Sequence, residues 1–198
     1  MRIIAAVDKN WAIGYNGDLL FKLPEDMRNF KTITKKYGIV LMGRKTFESL
    51  NIEDGLPERE NWVVTRDKDY QFRYPNIKVF NSIDDVLKYI RDPYTGEERI
   101  DHNKICVIGG GEIYKEFLPY CNEAIITILN KEFENTDTFF PCNLDKDSNW
   151  IKSESIKGEE CLRIGQFYTF NKYSKVSVID PISYHFSGSS IIEPHQRL

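Results

Sequence analysis

Ile105-Cys106-Val107-Ile108-Gly109-Gly110-Gly111-Glu112-Ile113-Tyr114 is the stretch on which the fold turns. Four apolar residues in succession suit a strand covered on both faces, as in a parallel sheet flanked by helices. Three glycines follow, and then a helix-like stretch, Glu112–Leu118. Bare backbone between a buried strand and a helix start allows very close approach to a ligand, and unpaired N–H groups there attract phosphate. A flexible turn is the other reading, although three glycines are a costly way to build one. The stretch is not the dinucleotide fingerprint G-x-G-x-x-G, since Tyr114 holds the sixth position. The chain also has no G-x-x-x-x-G-K-[ST] loop.

Outward from this point the same alternation repeats. Strand candidates are Ile3–Val7, Ile39–Met42, Asn61–Thr65, Lys78–Phe80, Ala124–Leu129 and Cys161–Tyr173. Helix candidates are Glu25–Lys35, Lys45–Leu50 and Ile83–Arg91, the last started by Ser82 with Asp84 and Asp85 behind it. The alternation implies an α/β domain, and the late strands without helices between them imply an antiparallel C-terminal edge. Lys9–Leu20, Asp92–Asn103 and Glu132–Trp150 read as loops. Residues 174–198, serine-rich with small apolar clusters, read as an appendage.

Composition narrows the classes. A chain of 198 residues suits one substantial domain, and 41% hydrophobic with 29% charged residues is an ordinary globular balance. A net charge of −3 gives no reason to expect nucleic acid or an anionic membrane as partner. No stretch approaches the ~20 apolar residues of a membrane span, and the apolar run Ile3–Val7 is too short for a secretory signal. Cys106, Cys121, Cys142 and Cys161 are widely spaced, without a C-x-x-C pair, and are expected as reduced thiols of a cytoplasmic protein. His102, His185 and His195 form no metal-ligand spacing with the acids or cysteines, so no metal is expected.

Three further stretches carry chemistry. Met42-Gly43-Arg44-Lys45-Thr46 joins a strand to a helix and offers N–H groups beside two cations, suited either to an anion or to an ordinary connection. Thr65-Arg66 puts a cation at the carboxyl edge of the sheet, where open α/β sheets bind ligands. Leu23-Pro24-Glu25-Asp26-Met27-Arg28-Asn29-Phe30 opens a helix, with Pro24 suited to its first position and Leu23, Met27 and Phe30 spaced for one apolar face. Asp26 borders that face. It can serve the helix dipole, as Glu25 is expected to, or it can serve a ligand.

Taken together these blocks resemble dihydrofolate reductase. Asp8 with Trp11-Ala12-Ile13-Gly14, then Leu23-Pro24-Glu25-Asp26 with Phe30, Met42-Gly43-Arg44-Lys45-Thr46, Ile108 to Tyr114, and Asp137-Thr138-Phe139-Phe140-Pro141 fall in the family's order over about residues 1–173. The resemblance implies an eight-stranded, mostly parallel sheet with an antiparallel C-terminal edge and flanking helices, with the cofactor's adenosine part held by about residues 38–103. It implies reduction of 7,8-dihydrofolate to tetrahydrofolate with NADPH, antifolate binding, and a monomer.

Carried over by motif, Asp26 would grip the pterin, with Thr127 at the same site. Ala6, Phe30 and Leu56 would line the substrate, and Arg59 would pair with its glutamate carboxylate. Arg44 and Arg66 would take the 2′-phosphate. Thr46 and Gly109 to Gly111 would hold the pyrophosphate, and Ile13 and Tyr114 would flank the nicotinamide. Ala6, Gly14, Gly43, Lys45, Thr65, Ile108, Glu112 and Ile113 would complete the cofactor's surroundings. The chain departs from the family at Leu20-Phe21, where Pro-Trp is usual. Phe21 lacks the indole N–H that would hold a water near the substrate, which bears on the proton route. Glu58 stands where glycine is common. The riboflavin-pathway reductases share this fold but lack an Asp26-type acid and an Arg59-type clamp.

Overall fold

The computed structural model describes residues 1–71, 74–158, 160 and 164–176. In chain order its strands are β1 (Arg2–Val7), β2 (Ala12–Tyr15), β3 (Asp18–Leu19), β4 (Ile39–Gly43), β5 (Glu60–Val64), β6 (Ile77–Phe80), β7 (Ile105–Gly109), β8 (Glu123–Leu129), β9 (Thr138–Phe139), β10 (Trp150–Lys157) and β11 (Tyr168–Lys175). The helices are α1 (Pro24–Tyr37), α2 (Arg44–Ser49), α3 (Ile83–Ile90) and α4 (Gly111–Phe117). An eight-stranded sheet runs β10-β11-β8-β1-β7-β4-β5-β6. Six of its strands are parallel; β11 lies antiparallel to β8, and β10 antiparallel to β11. This is the expected architecture.

The apolar runs explain the layering. Alternate residues of a strand face opposite sides. Ile39 and Leu41 of β4, with Ile105 and Val107 of β7, join α3 and α4 through Leu87, Ile90, Ile113 and Phe117. Val40, Met42 and Cys106 face the other side and pack with Phe47 of α2 and with Phe30, Ile33 and Tyr37 of α1. Both faces of the sheet are therefore covered, which is why its central strands read as continuous hydrophobic runs.

Three regions differ from the sequence expectation. The last strand spans Tyr168–Lys175 rather than Cys161–Tyr173: Ile164 and Gly165 form a turn, residues 161–163 lie outside the described set, and the strand takes in Ser174 and Lys175. The rest of the expected appendage, from residue 177, also lies outside that set. β10 begins at Trp150 and is exposed at every later position, so its Lys-Ser-Glu-Ser sequence carries no apolar signal. The loops Lys9–Leu20 and Glu132–Trp150 contribute β2, β3 and β9 to a second, three-stranded sheet. These strands of two to four residues exist through each other and leave no periodicity to detect.

Candidate active site

Asp26 sits where β1, β8 and the first turn of α1 meet. Ala6 lies opposite Thr127 in the β1–β8 register. The Thr127 hydroxyl, 2% exposed, donates to Asp26 Oδ1 at 2.5 Å. Burial raises the Asp26 pKa, and the Thr127 hydrogen bond opposes that rise without cancelling it. The helix face also differs from the expected one. Met27 is 46% exposed, whereas Phe30, Ile33 and Tyr37 pack inward. Asp26 precedes these by four, seven and eleven residues, so it stands on the packed stripe and not at its border.

Pro24 opens α1, and Leu23 caps it without a side-chain hydrogen bond. The turn is held from outside instead: Tyr168 of β11 donates its hydroxyl to Glu25 Oε2. Glu25, expected as a dipole acid, therefore ties α1 to the sheet. Phe21 is buried beside Leu23, Leu129 and Tyr168, with Leu20 packed against the group. Its ring stacks on Phe133, centroids 6.0 Å apart and planes 11° from parallel. Phe21 thus builds an apolar wall and has no side-chain hydrogen to donate.

At the other end, Arg59 precedes β5 and is 6% exposed. Its Nη1 donates to Thr34 Oγ1 at 2.8 Å and its Nε to the Pro57 carbonyl at 2.9 Å. Burial lowers its pKa, and neighbouring Glu58 opposes the change; a guanidinium remains cationic under such a shift. Thr34 and Asn61 were not singled out from sequence. Asn61, fully buried, accepts from the Leu56 N–H at 2.9 Å and donates to the carbonyls of Leu56 and Arg59 at 3.1 and 2.9 Å. A polar residue at the start of an apolar strand, two positions after an Arg, was the sequence signal for it. Leu56 and Phe30 share the apolar cluster on that side of the sheet. Glu58 takes φ 63° and its carboxylate meets Lys35 of α1.

A separate cradle lies at the carboxyl ends of β4 and β7. The Gly109–Gly110 peptide is cis, and Gly109 has φ 113°. A Cβ on Gly109 would lie 3.2 Å from the Tyr114 ring, one on Gly110 3.3 Å from Thr46 Oγ1, one on Gly111 3.1 Å from Thr138, and one on Gly43 3.0 Å from Ile113. Each of these contacts is tighter than an ordinary Cβ makes, which favours bare backbone here, and the fold brings Thr46 beside Gly110. Tyr114 donates its hydroxyl to the Ile4 carbonyl at 2.7 Å. Burial, and then the Asp26 charge, push its pKa up, so the cradle wall and Asp26 share one electrostatic neighbourhood. Ile13 is buried on β2, with Gly14 next to it against Asp18. Ile108 ends the β7 run, and Glu112 lies in the first turn of α4.

The basic residues are arranged unequally. Arg44 Nη1 donates to both oxygens of Glu48, at 3.0 and 3.3 Å, and its guanidinium lies 5.8 Å from the Tyr70 ring centroid. Lys45 and Arg66 are exposed, and Thr65 is buried, its hydroxyl accepting from the Asp67 N–H. Elsewhere, Glu98, Asp101 and His102 bring ligand-type atoms within 4.8 Å of one another. Glu98 accepts from the His102 N–H and Asp101 from the Asn103 N–H, so these acids serve their own loop. Burial pushes the Cys106 thiol up to about 11 and the Cys121 thiol to about 12, which leaves both unreactive. Among the described residues no helix is long and apolar enough to cross a membrane.

Comparison with known proteins covers this whole arrangement. The family model described as Dihydrofolate reductase matches residues 1–175. Dihydrofolate reductase of Bacillus subtilis (strain 168) is 37% identical over 172 residues, 87% of this chain and 92% of that protein. Dihydrofolate reductase of Staphylococcus haemolyticus is 31% identical over 175 residues, 88% of this chain and 95% of that protein. A solved structure, dihydrofolate reductase from Enterococcus faecalis complexed with NADP(H) and RAB-propyl, superposes with a TM-score of 0.71 at 29% identity, over 89% of this chain and 96% of that one.

Proposed function

The chain belongs to the dihydrofolate reductase family, and from that premise we infer how its pocket works. It reduces 7,8-dihydrofolate to 5,6,7,8-tetrahydrofolate by hydride transfer from NADPH, in support of one-carbon metabolism and thymidylate synthesis. The observation that carries the residue roles is the buried Asp26 carboxyl bonded to Thr127. A carboxylate in an apolar pocket is unfavourable by itself and becomes favourable against a cationic or N–H-rich partner. Asp26 accepts from the pterin's amino group and ring N–H, and Thr127 orients it. Its negative charge raises the basicity of the bound pterin, so that water can protonate N5. Phe21 excludes solvent but holds no water by itself.

NADPH, when bound, supplies the hydride. The glycine cradle and Thr46 hold its pyrophosphate, Arg44, Lys45 and Arg66 attract its 2′-phosphate, and Ile13, Gly14 and Tyr114 border its nicotinamide. Holding both partners against each other makes the transfer effectively intramolecular. Arg59, already directed by Thr34 and Pro57, clamps the substrate's glutamate carboxylate. In this reading about residues 1–173 form the catalytic domain, with the adenosine part of the cofactor on about 38–103. The protein acts as a cytoplasmic monomer without nucleic-acid or membrane partners, and antifolates compete for the Asp26 pocket.

The test is direct. Purified protein mixed with NADPH and dihydrofolate is followed at the nicotinamide absorbance band. Consumption that depends on both substrates is expected. No consumption anywhere between about pH 5 and 8, the span in which an enzyme's catalytic groups are commonly poised, would overturn the assignment.

A further inference from the structure

Asp8 is buried, chemically able, and without a role in the reaction as described so far. It follows β1 directly and is 0% exposed. Its Oδ1 accepts from the N–H groups of Asn10 at 2.8 Å and Ala12 at 2.9 Å. Its Oδ2 accepts from the Phe133 N–H at 3.2 Å. Among the described residues no Lys or Arg pairs with it. A buried carboxyl supported by backbone donors alone is an expensive way to close a turn, and Ser or Asn serves ordinary turns.

Both ends of this arrangement lead into the pocket. The two N–H groups on Oδ1 flank Trp11, whose backbone sits at φ 63°, an unfavourable conformation for a bulky residue. The Asp8 N–H also donates to the Ala12 carbonyl, and the Trp11 N–H to the Asp8 carbonyl. This closed turn fixes the start of β2, which carries Ile13 and Gly14. The single N–H on Oδ2 belongs to Phe133, whose ring stacks on Phe21. The strap is reinforced by the Lys9 N–H donating to the Lys131 carbonyl at 3.0 Å.

We propose that Asp8 is a positioning residue that sets the spacing between the nicotinamide-side strand β2 and the Phe21 wall of the substrate pocket, one carboxylate oxygen holding each. The inference rests on the dihydrofolate reductase reading above. Hydride transfer is acutely sensitive to donor–acceptor spacing, and a shift of about 1 Å can reduce a rate about a hundredfold. Asp8 touches neither reactant; it acts through Ile13 on one side and through Phe133 and Phe21 on the other.

Asp8→Asn separates the two ties. The amide oxygen keeps the Asn10 and Ala12 N–H groups, and the NH₂ then faces the Phe133 N–H, donor against donor. Phe133→Leu keeps that N–H and removes the stacked ring. Single-turnover hydride transfer, NADPH affinity and Tm are measured for each single variant and for the pair. The expected result is a fall of about tenfold or more in the hydride-transfer rate for Asp8→Asn, with NADPH affinity within about twofold and a larger deuterium isotope effect on turnover. The double variant should be little worse than either single one, because both cut the same strap. An unchanged transfer rate in folded Asp8→Asn, with only Tm lowered, would reduce Asp8 to a structural residue. So would additive losses in the pair. If the unaltered protein consumes no NADPH, the family reading itself fails, an outcome distinct from a normal enzyme indifferent to Asp8.

Discussion

The Thr127 hydroxyl reaches Asp26 Oδ1 at 2.5 Å from a strand that lies 101 residues further along the chain. That bond gives the mostly buried Asp26 carboxyl a fixed direction. It also keeps the carboxyl where burial disfavours its charge, so function and stability pull against each other at one atom.

Asp26→Asn is therefore expected to fold better and work worse. The native carboxyl holds its proton to higher pH than it does in the unfolded chain. Between those two pKa values the folded state binds more protons, so stability falls as pH rises from about 4 through the raised value. Asn carries no such penalty. Thermal melts across pH should show the variant gaining on the native protein as pH increases. Turnover near neutrality should drop about a hundredfold or more, the usual scale for loss of a preorganised group that stabilises developing charge. Full activity at neutral pH would mean that the acid is misassigned.

Arg59→Ala should act on one substrate only. Its side-chain hydrogen bonds go to Thr34 and Pro57, away from the glycines at the ends of β4 and β7. Loss of a charge-assisted carboxylate clamp is expected to weaken dihydrofolate binding about 10- to 100-fold. NADPH affinity, measured by fluorescence titration, should stay nearly unchanged.

Asn61→Ala should resemble a weakened Arg59 variant without touching Arg59. It leaves the Leu56 N–H and two carbonyls unpaired in the interior. Each such group costs about 1–3 kcal/mol. Denaturant melts should show that loss, and steady-state kinetics should show a raised KM for dihydrofolate with little change for NADPH. Gly55 belongs to the same unit: it has φ 73°, and a Cβ there would lie 2.8 Å from the Asn61 side chain.

The choice between NADPH and NADH should rest more on Arg66 than on Arg44. Glu48 already engages Arg44 in an exposed pair. Arg66→Ala is expected to weaken NADPH about tenfold or more while leaving NADH unaffected, as loss of a charged hydrogen bond does. Glu48→Gln should free Arg44 and tighten NADPH at low salt, with the gain fading as ionic strength rises.

Legibility from sequence followed the range of the interactions. The β7–glycine–α4 unit and the parallel core were visible because a doubly covered strand must be apolar throughout. The local setting of Asp26 left it between the helix dipole and a ligand, and the other blocks with the family resemblance decided it; Met27 misled the choice of helix face, because an apolar residue at helical spacing need not be covered. Thr34, Asn61 and Tyr168 were hidden because each works through partners brought near only by the fold. β10 was hidden because an edge strand exposed on both sides resembles a polar loop. β2, β3 and β9 were hidden because such short strands are defined by one another.

Of the described strands β1 is made before the rest, and its partners in the sheet are β7 and β8. At about 5–20 residues per second, roughly 5 to 20 s pass between the synthesis of Ile3 to Val7 and that of residue 105. By the end of that interval β4, β5 and β6 can have assembled among themselves, whereas the apolar β1 still has no place to go. Asp26 is in the same position, since Thr127 comes later still. The nascent protein thus carries a sticky, unpaired segment until β7 has been made. Its yield in a cell depends on how well that segment is shielded until the middle of the sheet can close around it.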